Sequence, residues 1–351
     1  AISNGGSANN TGQAMHRLGL DVRIVGKLGD DMIGKATLDN LRPLGSDVTR
    51  DMVISPGEGS SFTIILNPPG IDRTFLHSAA TNATFVADDL PDSAMDGVKV
   101  MHYGYPPLMA AFFANDGAET KKLFQRGKTR GLTTSLDMAR PDPDAPSGRA
   151  DWVRFLENVL PVVDIFLPSV DEIVYMFDRK LFDELLVKSH SANPAAFLDI
   201  DMISGLADRL LGMGPALVGF KLGDQGFYLK TASDSRRIGA IGPLSPKDVD
   251  VWTGREIAAP CFKVDVVGTT GSGDATIGGF LASMLKGLSP DEAVIMAVGT
   301  GAESVEALDS ASGVQPWETI EARIAGGWEQ IGSRVIPKTW KKTGKGTYQR
   351  A

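Results

Sequence analysis

Apolar and polar positions alternate with two different periods along the chain, and the switches between them mark the elements. Ala14, Met15 and Leu18 recur at helical spacing with Gly19 placed to end that helix, and Val22, Ile24 and Gly26 then alternate as a strand. Gly29-Asp30-Asp31-Met32-Ile33-Gly34 leads into a second helix that must stop near Pro43. Two short β-rich runs, Ser61 to Leu66 and Arg73 to His77, are joined by Asn67-Pro68-Pro69-Gly70-Ile71-Asp72 and predict a hairpin.

Further on, Val98 to Met101 reads as a strand, Leu108 to Gln125 as a helix, and Leu132 to Leu136 as a strand that ends at Asp137. Asp142 to Ala150 is a polar, proline-rich surface loop, and Asp151 to Leu160 an amphipathic helix. Val162 to Leu167 is a buried-type strand that Pro168 and Ser169 carry into another helix. Leu217 to Tyr228 reads as strand, tight glycine turn and strand, whereas residues 233–260 are irregular and receive no element. Val264, Val266 and Val267 form a strand-like run into the turn Gly268 to Gly273, and Asp274 opens a helix over Ala275 to Leu285. Helices over Asp291 to Val305 and Trp317 to Ile331 come next, and the basic tail from Lys338 to Arg350 is expected to be solvated and disordered. Alternating strands and helices predict an α/β fold, with a mainly parallel sheet flanked on both faces by helices and right-handed crossovers.

Composition narrows the function classes. With 351 residues and 42% hydrophobic content the chain can bury one large α/β core or two smaller ones. A net charge of -8 disfavours nucleic-acid and anionic-membrane partners, which need clustered Lys and Arg. Cys261 is the single cysteine, so no intrachain disulfide or multi-cysteine zinc site exists, and a reducing cytoplasm fits. There is no long apolar run and no charged-then-apolar leader pattern, so neither a membrane span nor a secretion signal is expected. His77 has no His or Cys companion at ligand spacing and reads as a lid or core residue.

The chemistry concentrates in Gly268-Thr269-Thr270-Gly271-Ser272-Gly273-Asp274. Glycines let backbone N–H groups crowd a phosphate, and a helix N-terminus adds partial positive charge there. A carboxylate at Asp274 would repel bound phosphate, so it suits a base that takes a proton from an incoming hydroxyl; a capping acid is the alternative. A Walker A loop would need Lys after Gly273, and a dinucleotide fingerprint would need Gly or Ala where Thr276 stands. Asp137 and Arg140 lie where open α/β sheets place ligand sites, or form a turn ahead of Pro141.

G-T-T-G-S-G-D-A-x-x-G-G-F resembles the C-terminal signature of the ribokinase-like (PfkB-type) carbohydrate kinases, usually D-T-T-G-A-G-D; here Gly268 and Ser272 replace its first Asp and its Ala. The opening GGSANNTGQAMHRLGLDVRIVGKLGDDMIG resembles the family's N-terminal signature. Pro168-Ser169-Val170-Asp171-Glu172 stands where the family shows P-N-x-x-E, and Leu222-Gly223-Asp224-Gln225-Gly226 resembles its L-G-x-x-G nucleotide segment.

The resemblance implies one ribokinase-like domain over residues 1–337 with a small β lid at about 60–83 and a tail at 338–351. It implies ATP and magnesium as cofactors and a sugar as acceptor. Asp274 would be the base, and the N–H groups of Gly271, Ser272 and Gly273 the anion hole. Gly5, Gly6 and Asn10, with Asp137, would face the sugar. Lys221, Gly223, Gly226 and Thr270 would lie on the nucleotide side, and Glu172 would organise the metal. Lid pairing between subunits implies a homodimer. Relatives begin with a strand ending in an Asp ahead of the opening loop, so a first strand before residue 1 is expected to be missing from this chain. In many relatives a monovalent cation sits behind the anion loop, held by the first Asp; with Gly268 there, potassium independence is expected unless Asp265 or Asp309 substitutes. Nucleoside phosphorylation, and sugar or nucleotide binding with weak turnover, are the alternative functions.

Overall fold

Eight strands in the order β11-β12-β10-β9-β8-β7-β6-β5 form the central sheet. The computed structural model describes residues 3–66, 74–190 and 193–350. In chain order the strands are β1 (Lys27–Gly29), β2 (Val53–Ser55), β3 (Phe62–Leu66), β4 (Thr74–Ser78), β5 (Val100–Tyr103), β6 (Thr133–Leu136), β7 (Ile165–Phe166), β8 (Leu217–Lys221), β9 (Phe227–Thr231), β10 (Glu256–Ala259), β11 (Lys341–Lys342) and β12 (Tyr348–Gln349). Strands β5 to β8 are parallel neighbours; β10 and β11 run with them, and β9 and β12 against them.

Period-two alternation divides the core between the two faces. Phe166, Val218, Phe220 and Tyr228 pack with helices Trp152–Val159, Val170–Phe177 and Ile200–Leu211. Ile165, Leu217, Phe227 and Leu229 pack with helices Ser272–Leu285 and Pro290–Ser304 on the other face. Near-continuous apolar strands are what a sheet covered on both sides requires. β3 and β4 pair antiparallel as the expected hairpin, apart from the central sheet. Its expected connection, Asn67 to Asp72, and Arg73 lie outside the described residues.

Several elements differ from the expectation. Val22 to Gly26 is not a strand; Ile24 and Gly26 make single backbone bonds to Val48 and Val53, and ladder pairing begins only at Lys27. The run Val264 to Val267 is not a strand either. Val266 and Val267 are exposed, and the N–H groups of Val267 and Gly268 both turn to the Val305 carbonyl at the end of a helix. The helix over Ala110–Thr129 is interrupted at residues 114–117, where Asn115, Asp116 and Gly117 adopt left-handed conformations. The helix from Trp317 stops at Ala325, because Gly326 caps it and Gly327 turns left-handed; Gln330 then bridges to Phe262.

Residues 233–260 resolve into helices Ser235–Gly239 and Val249–Trp252 and strand β10. The basic tail is not disordered. It adds β11 and β12 to the sheet because Trp340 and Thr347 are buried and the cations find acids: Lys345 pairs with Glu292, and Arg350 with Asp201 at 2.6 Å and Glu256 at 3.1 Å.

At the N-terminal end of β7, buried Asp164 ties three elements together. Its carboxylate receives Lys128 at 2.7 Å, Arg237 at 3.1 Å, and the N–H and hydroxyl of Thr134 at 2.9 and 3.0 Å. Asp164→Ala strands two cations and is expected to lower unfolding free energy by about 3–5 kcal/mol in urea titrations. Turnover per folded molecule should stay near wild type, because a sheet of this kind binds its ligands at the opposite, C-terminal ends of the strands. A loss under about 1 kcal/mol would make the cluster an ordinary surface network.

Candidate active site

The C-terminal ends of the parallel strands deliver their polar residues to one place. β5 runs through Gly104 into Tyr105, β6 ends at Asp137, β7 leads through Ser169 to Glu172, and β8 ends at Lys221. A parallel bridge between Ser169 and Lys221 continues the register of β7 and β8. Lys221 Nζ lies 2.5 Å from Asp137 Oδ1, and both residues are buried. The sequence placed Asp137 with the sugar and Lys221 with the nucleotide; the structure joins them as one ion pair.

Asp274 enters from outside the sheet, in the first turn of helix Ser272–Leu285. It is 2% exposed. Its Oδ2 accepts from Tyr105 Oη at 2.7 Å and Asn10 Nδ2 at 2.9 Å, while Oδ1 has the longer 3.4 Å contact from Thr11 Oγ1. Asn10 in turn accepts from Ser310 Oγ at 2.7 Å. The amide expected to meet sugar hydroxyls is thus spent in part on holding the acid. Gly5 and Gly6 precede helix Ser7–Arg17, with Gly6 at φ 88° as its N-cap, and that helix carries Asn10 and Thr11.

Helix packing sets this meeting. A Cβ on Gly278 would lie 3.1 Å from Ala14 Cβ, and one on Gly279 would lie 2.5 Å from Thr300 Oγ1. The paired glycines let helix Ser272–Leu285 approach Ser7–Arg17 on one side and Pro290–Ser304 on the other. Gly271, the residue ahead of the helix, has φ 78°, and a Cβ there would meet Ser310 Cβ at 2.4 Å. The turn around it is open: Thr270 is exposed, and the Ser272 N–H makes only a 3.4 Å bond to the Thr269 carbonyl. A Cβ on Gly273 would sit 3.6 Å from Lys221 Nζ, so the buried cation borders the turn.

Burial and mutual charge set the protonation states. Burial raises Asp274 against the opposing pull of Lys221, Asn10, Tyr105 and Thr11. Burial lifts Asp137 to about 6 and Glu172 to about 8, with Lys221 opposing both. Lys221 is pulled down by burial, yet Asp137 and Glu172 hold it above the ordinary lysine value, so it stays cationic. Burial lowers His102 to about 3 and keeps it neutral, with its Nδ1 2.9 Å from Ser135 Oγ.

Glu172 also closes a capping box, its Oε2 accepting the Ser169 N–H at 2.8 Å. Among the described residues no group of three or more His, Cys, Asp or Glu forms a metal cage. Raised by burial, Glu172 is neutral near pH 7, and a hard cation such as magnesium, which takes carboxylate oxygens and keeps waters, would have to displace its proton to be held there.

Gly223 and Gly226 have φ 61° and 109° in the tight β8–β9 hairpin, which by itself requires them. Tyr105, Thr11 and Ser310 were missed by the sequence reading. The strand-end rule that drew attention to Asp137 applies equally to Tyr105, which comes after β5.

Behind the turn, backbone carbonyls stand at Gly268 in place of a carboxylate. A Cβ on Gly268 would lie 2.9 Å from Ala307 O and 3.1 Å from Leu308 O, so no carboxylate fits there. Asp309 is turned to its own loop, accepting from Ala311 N at 2.9 Å and Ser312 N at 2.7 Å, and Asp265 is exposed. Replacing potassium by tetramethylammonium at constant ionic strength is therefore expected to change the phosphorylation rate less than about two-fold. A several-fold activation by potassium would overturn this.

Known proteins bear on the same arrangement. The family model described as pfkB family carbohydrate kinase matches residues 2–317. A 2-dehydro-3-deoxygluconokinase of Bacillus subtilis (strain 168) is 24% identical over 327 residues, 91% of this chain and 86% of the relative. A sugar kinase of Archaeoglobus fulgidus is 24% identical over 282 residues, 79% of this chain and 88% of the relative. The crystal structure of Xylella fastidiosa fructokinase with bound ATP superposes with a TM-score of 0.68 at 18% identity, covering 92% of this chain and 90% of that one. The chain belongs to the pfkB family of carbohydrate kinases, phosphotransferases with an alcohol group as acceptor.

Proposed function

We propose that this pfkB-family carbohydrate kinase transfers the γ-phosphoryl group of ATP to a hydroxyl of a sugar or related small polyol, with Asp274 as general base. The observation that carries the reading is the buried Asp274 carboxylate directly behind the Gly271-Ser272-Gly273 turn, held by donors from two other elements. An acid raised by burial is suited to accept a proton near neutral pH. The acceptor hydroxyl gives its proton to Asp274 as its oxygen attacks the γ-phosphorus, and the bond to the bridging oxygen breaks to release ADP. N–H groups of Gly271, Ser272 and Gly273 hold charge on the transferred group, and Lys221 beside Gly273 adds its positive field. Glu172 would hold magnesium, which neutralises phosphate charge.

Gly223, Gly226 and Thr270 form the nucleotide side in this reading, and Gly5, Gly6, Asn10 and Asp137 the sugar side. Phe62, Ile64 and Leu66 are exposed at alternate positions of β3, an apolar face that a second copy of the chain would cover; this supports a homodimer through the lid.

Asp274→Asn keeps the shape of the acid and removes its basicity. Turnover is expected to fall at least ~100-fold with ATP affinity nearly unchanged. A variant retaining more than about a tenth of wild-type turnover would remove Asp274 as the base. The assay runs over neutral sugars, sugar acids and nucleosides: phosphorylation of nucleosides alone would replace the sugar reading, and ATP binding without turnover on any acceptor would leave a binding protein. Glu172→Gln should raise the magnesium concentration for half-maximal rate more than the sugar KM, and an unchanged magnesium dependence would return Glu172 to its capping role.

A further inference from the structure

Tyr105 belongs to no sequence signature of the chain, yet its hydroxyl makes the shortest contact to Asp274. We propose that Tyr105 is a positioning residue for phosphoryl transfer: with the Asn10 amide it occupies Asp274 Oδ2 and leaves Oδ1 as the oxygen that takes the acceptor's proton. This rests on the reading of Asp274 as base.

The geometry supports the division of labour between the two oxygens. Donors at 2.7 and 2.9 Å converge on Oδ2, whereas the Thr11 contact to Oδ1 is 3.4 Å. The acceptor hydroxyl therefore approaches Oδ1, transfers its proton there, and forms the bond to the γ-phosphorus as the bond to ADP breaks. Oδ2 stays hydrogen-bonded throughout, which fixes the plane of the carboxylate.

Tyr105 is built into this position. It has φ 65° and ψ 41°, a left-handed conformation that a bulky side chain rarely adopts. Gly104 before it packs so closely on Ser7 that a Cβ would lie 2.0 Å from the Ser7 hydroxyl. Pro106 and Pro107 after it start a turn closed by Leu108 N to Tyr105 O at 3.0 Å. The chain thus reverses at the end of β5 and returns the ring to Asp274. Burial, reinforced by Asp274, raises the phenol well above its ordinary value, so the hydroxyl stays a donor.

The charged groups that act on Asp274 are Lys221 from β8 and Asp137, which follows β6, while Glu172 from helix Val170–Phe177 acts on Lys221, Asp137 and the Tyr105 phenol. Against that background the Tyr105 donor favours ionised Asp274. Removing it makes the carboxylate harder to ionise, so a higher pH is needed to generate the base.

Tyr105→Phe keeps the ring and deletes only the donor. Expected are a fall in kcat of about ten-fold and a rise of about one pH unit in the acid limb of kcat/KM, with the KM for ATP unchanged. In the Asp274→Asn background the same change should cost nothing further, because it acts through the carboxylate. Replacing Tyr105 alone by 3-fluorotyrosine, a more acidic donor that keeps the ring and its hydroxyl, should move the acid limb the opposite way. An unmoved acid limb in both proteins, or a loss that persists undiminished in Asp274→Asn, overturns the proposal. An active Asp274→Asn enzyme would sink the base itself; an inactive one beside an indifferent Tyr105→Phe sinks only the role of the tyrosine.

Discussion

A single buried ammonium holds the polar centre together. Lys221 ends β8 inside an apolar sheet, where desolvation works against its charge, and it keeps that charge because Asp137, Glu172 and Asp274 face it. The dependence runs both ways: without Lys221 each of those carboxylates would lose the strongest influence that favours ionisation against burial. Such a cluster contributes little net stability, since the attraction mostly offsets the cost of removing water, but breaking one member is expensive. The arrangement therefore selects for register. β5 to β8 must stay aligned so that their ends meet, and a one-residue slip would turn each terminal side chain to the other face.

Asp274 obeys a different constraint, because no strand leads directly into its helix. Its position comes from helix contacts in which glycines remove the obstacle of a side chain: Gly278 against Ala14, Gly279 against Thr300, and Gly301 against Thr276. The glycines of A-x-x-G-G-F thus serve packing, and packing places the acid. Asn10 and Thr11 reach Asp274 because Ala14, one turn further along their helix, seats on Gly278. Asp274 does not cap its helix, whose N-cap is Gly271 and which has no side-chain cap bond; the donors that hold the acid, Asn10, Thr11 and Tyr105, come from remote parts of the chain.

The range of the forces involved decides how much of this was legible in the sequence. Helix Ser7–Arg17, the β3–β4 hairpin, the strand ahead of Asp137 and the helix at Asp274 are set by periodicity and turn residues within a short stretch, and all are present. Val264 to Val267 has strand composition but no neighbour to pair with, and composition carries no information about neighbours. Lys338 to Arg350 looked like a solvated tail because its acid partners, Glu292, Glu256 and Asp201, lie far away in sequence. Tyr105 escaped notice for the same reason: its meaning comes from Asp274, 169 positions later.

The C-terminal segment carries this long-range logic furthest. The family match ends at residue 317, yet the chain beyond it supports both loops on the nucleotide side of the reading. Gln225, inside the Gly223–Gly226 turn, accepts from Arg334 N at 2.7 Å and Ser333 Oγ at 3.4 Å. Trp328 stacks on Phe262 at 4.5 Å, and Ile331 N donates to the Cys261 carbonyl at 2.9 Å. Cys261 and Phe262 begin the stretch that runs into Gly268 and the candidate anion turn. That stretch has no ladder of its own, as the exposure of Val266 and Val267 attests, so its upstream end is fixed from outside. In the proposed reading this turn offers N–H groups to a phosphate, and backbone groups kept for a ligand cannot also be spent on a ladder that would stiffen the turn. The rigidity has to come from its flanks: helix Ser272–Leu285 supplies it downstream, and the residues past 317 supply it upstream.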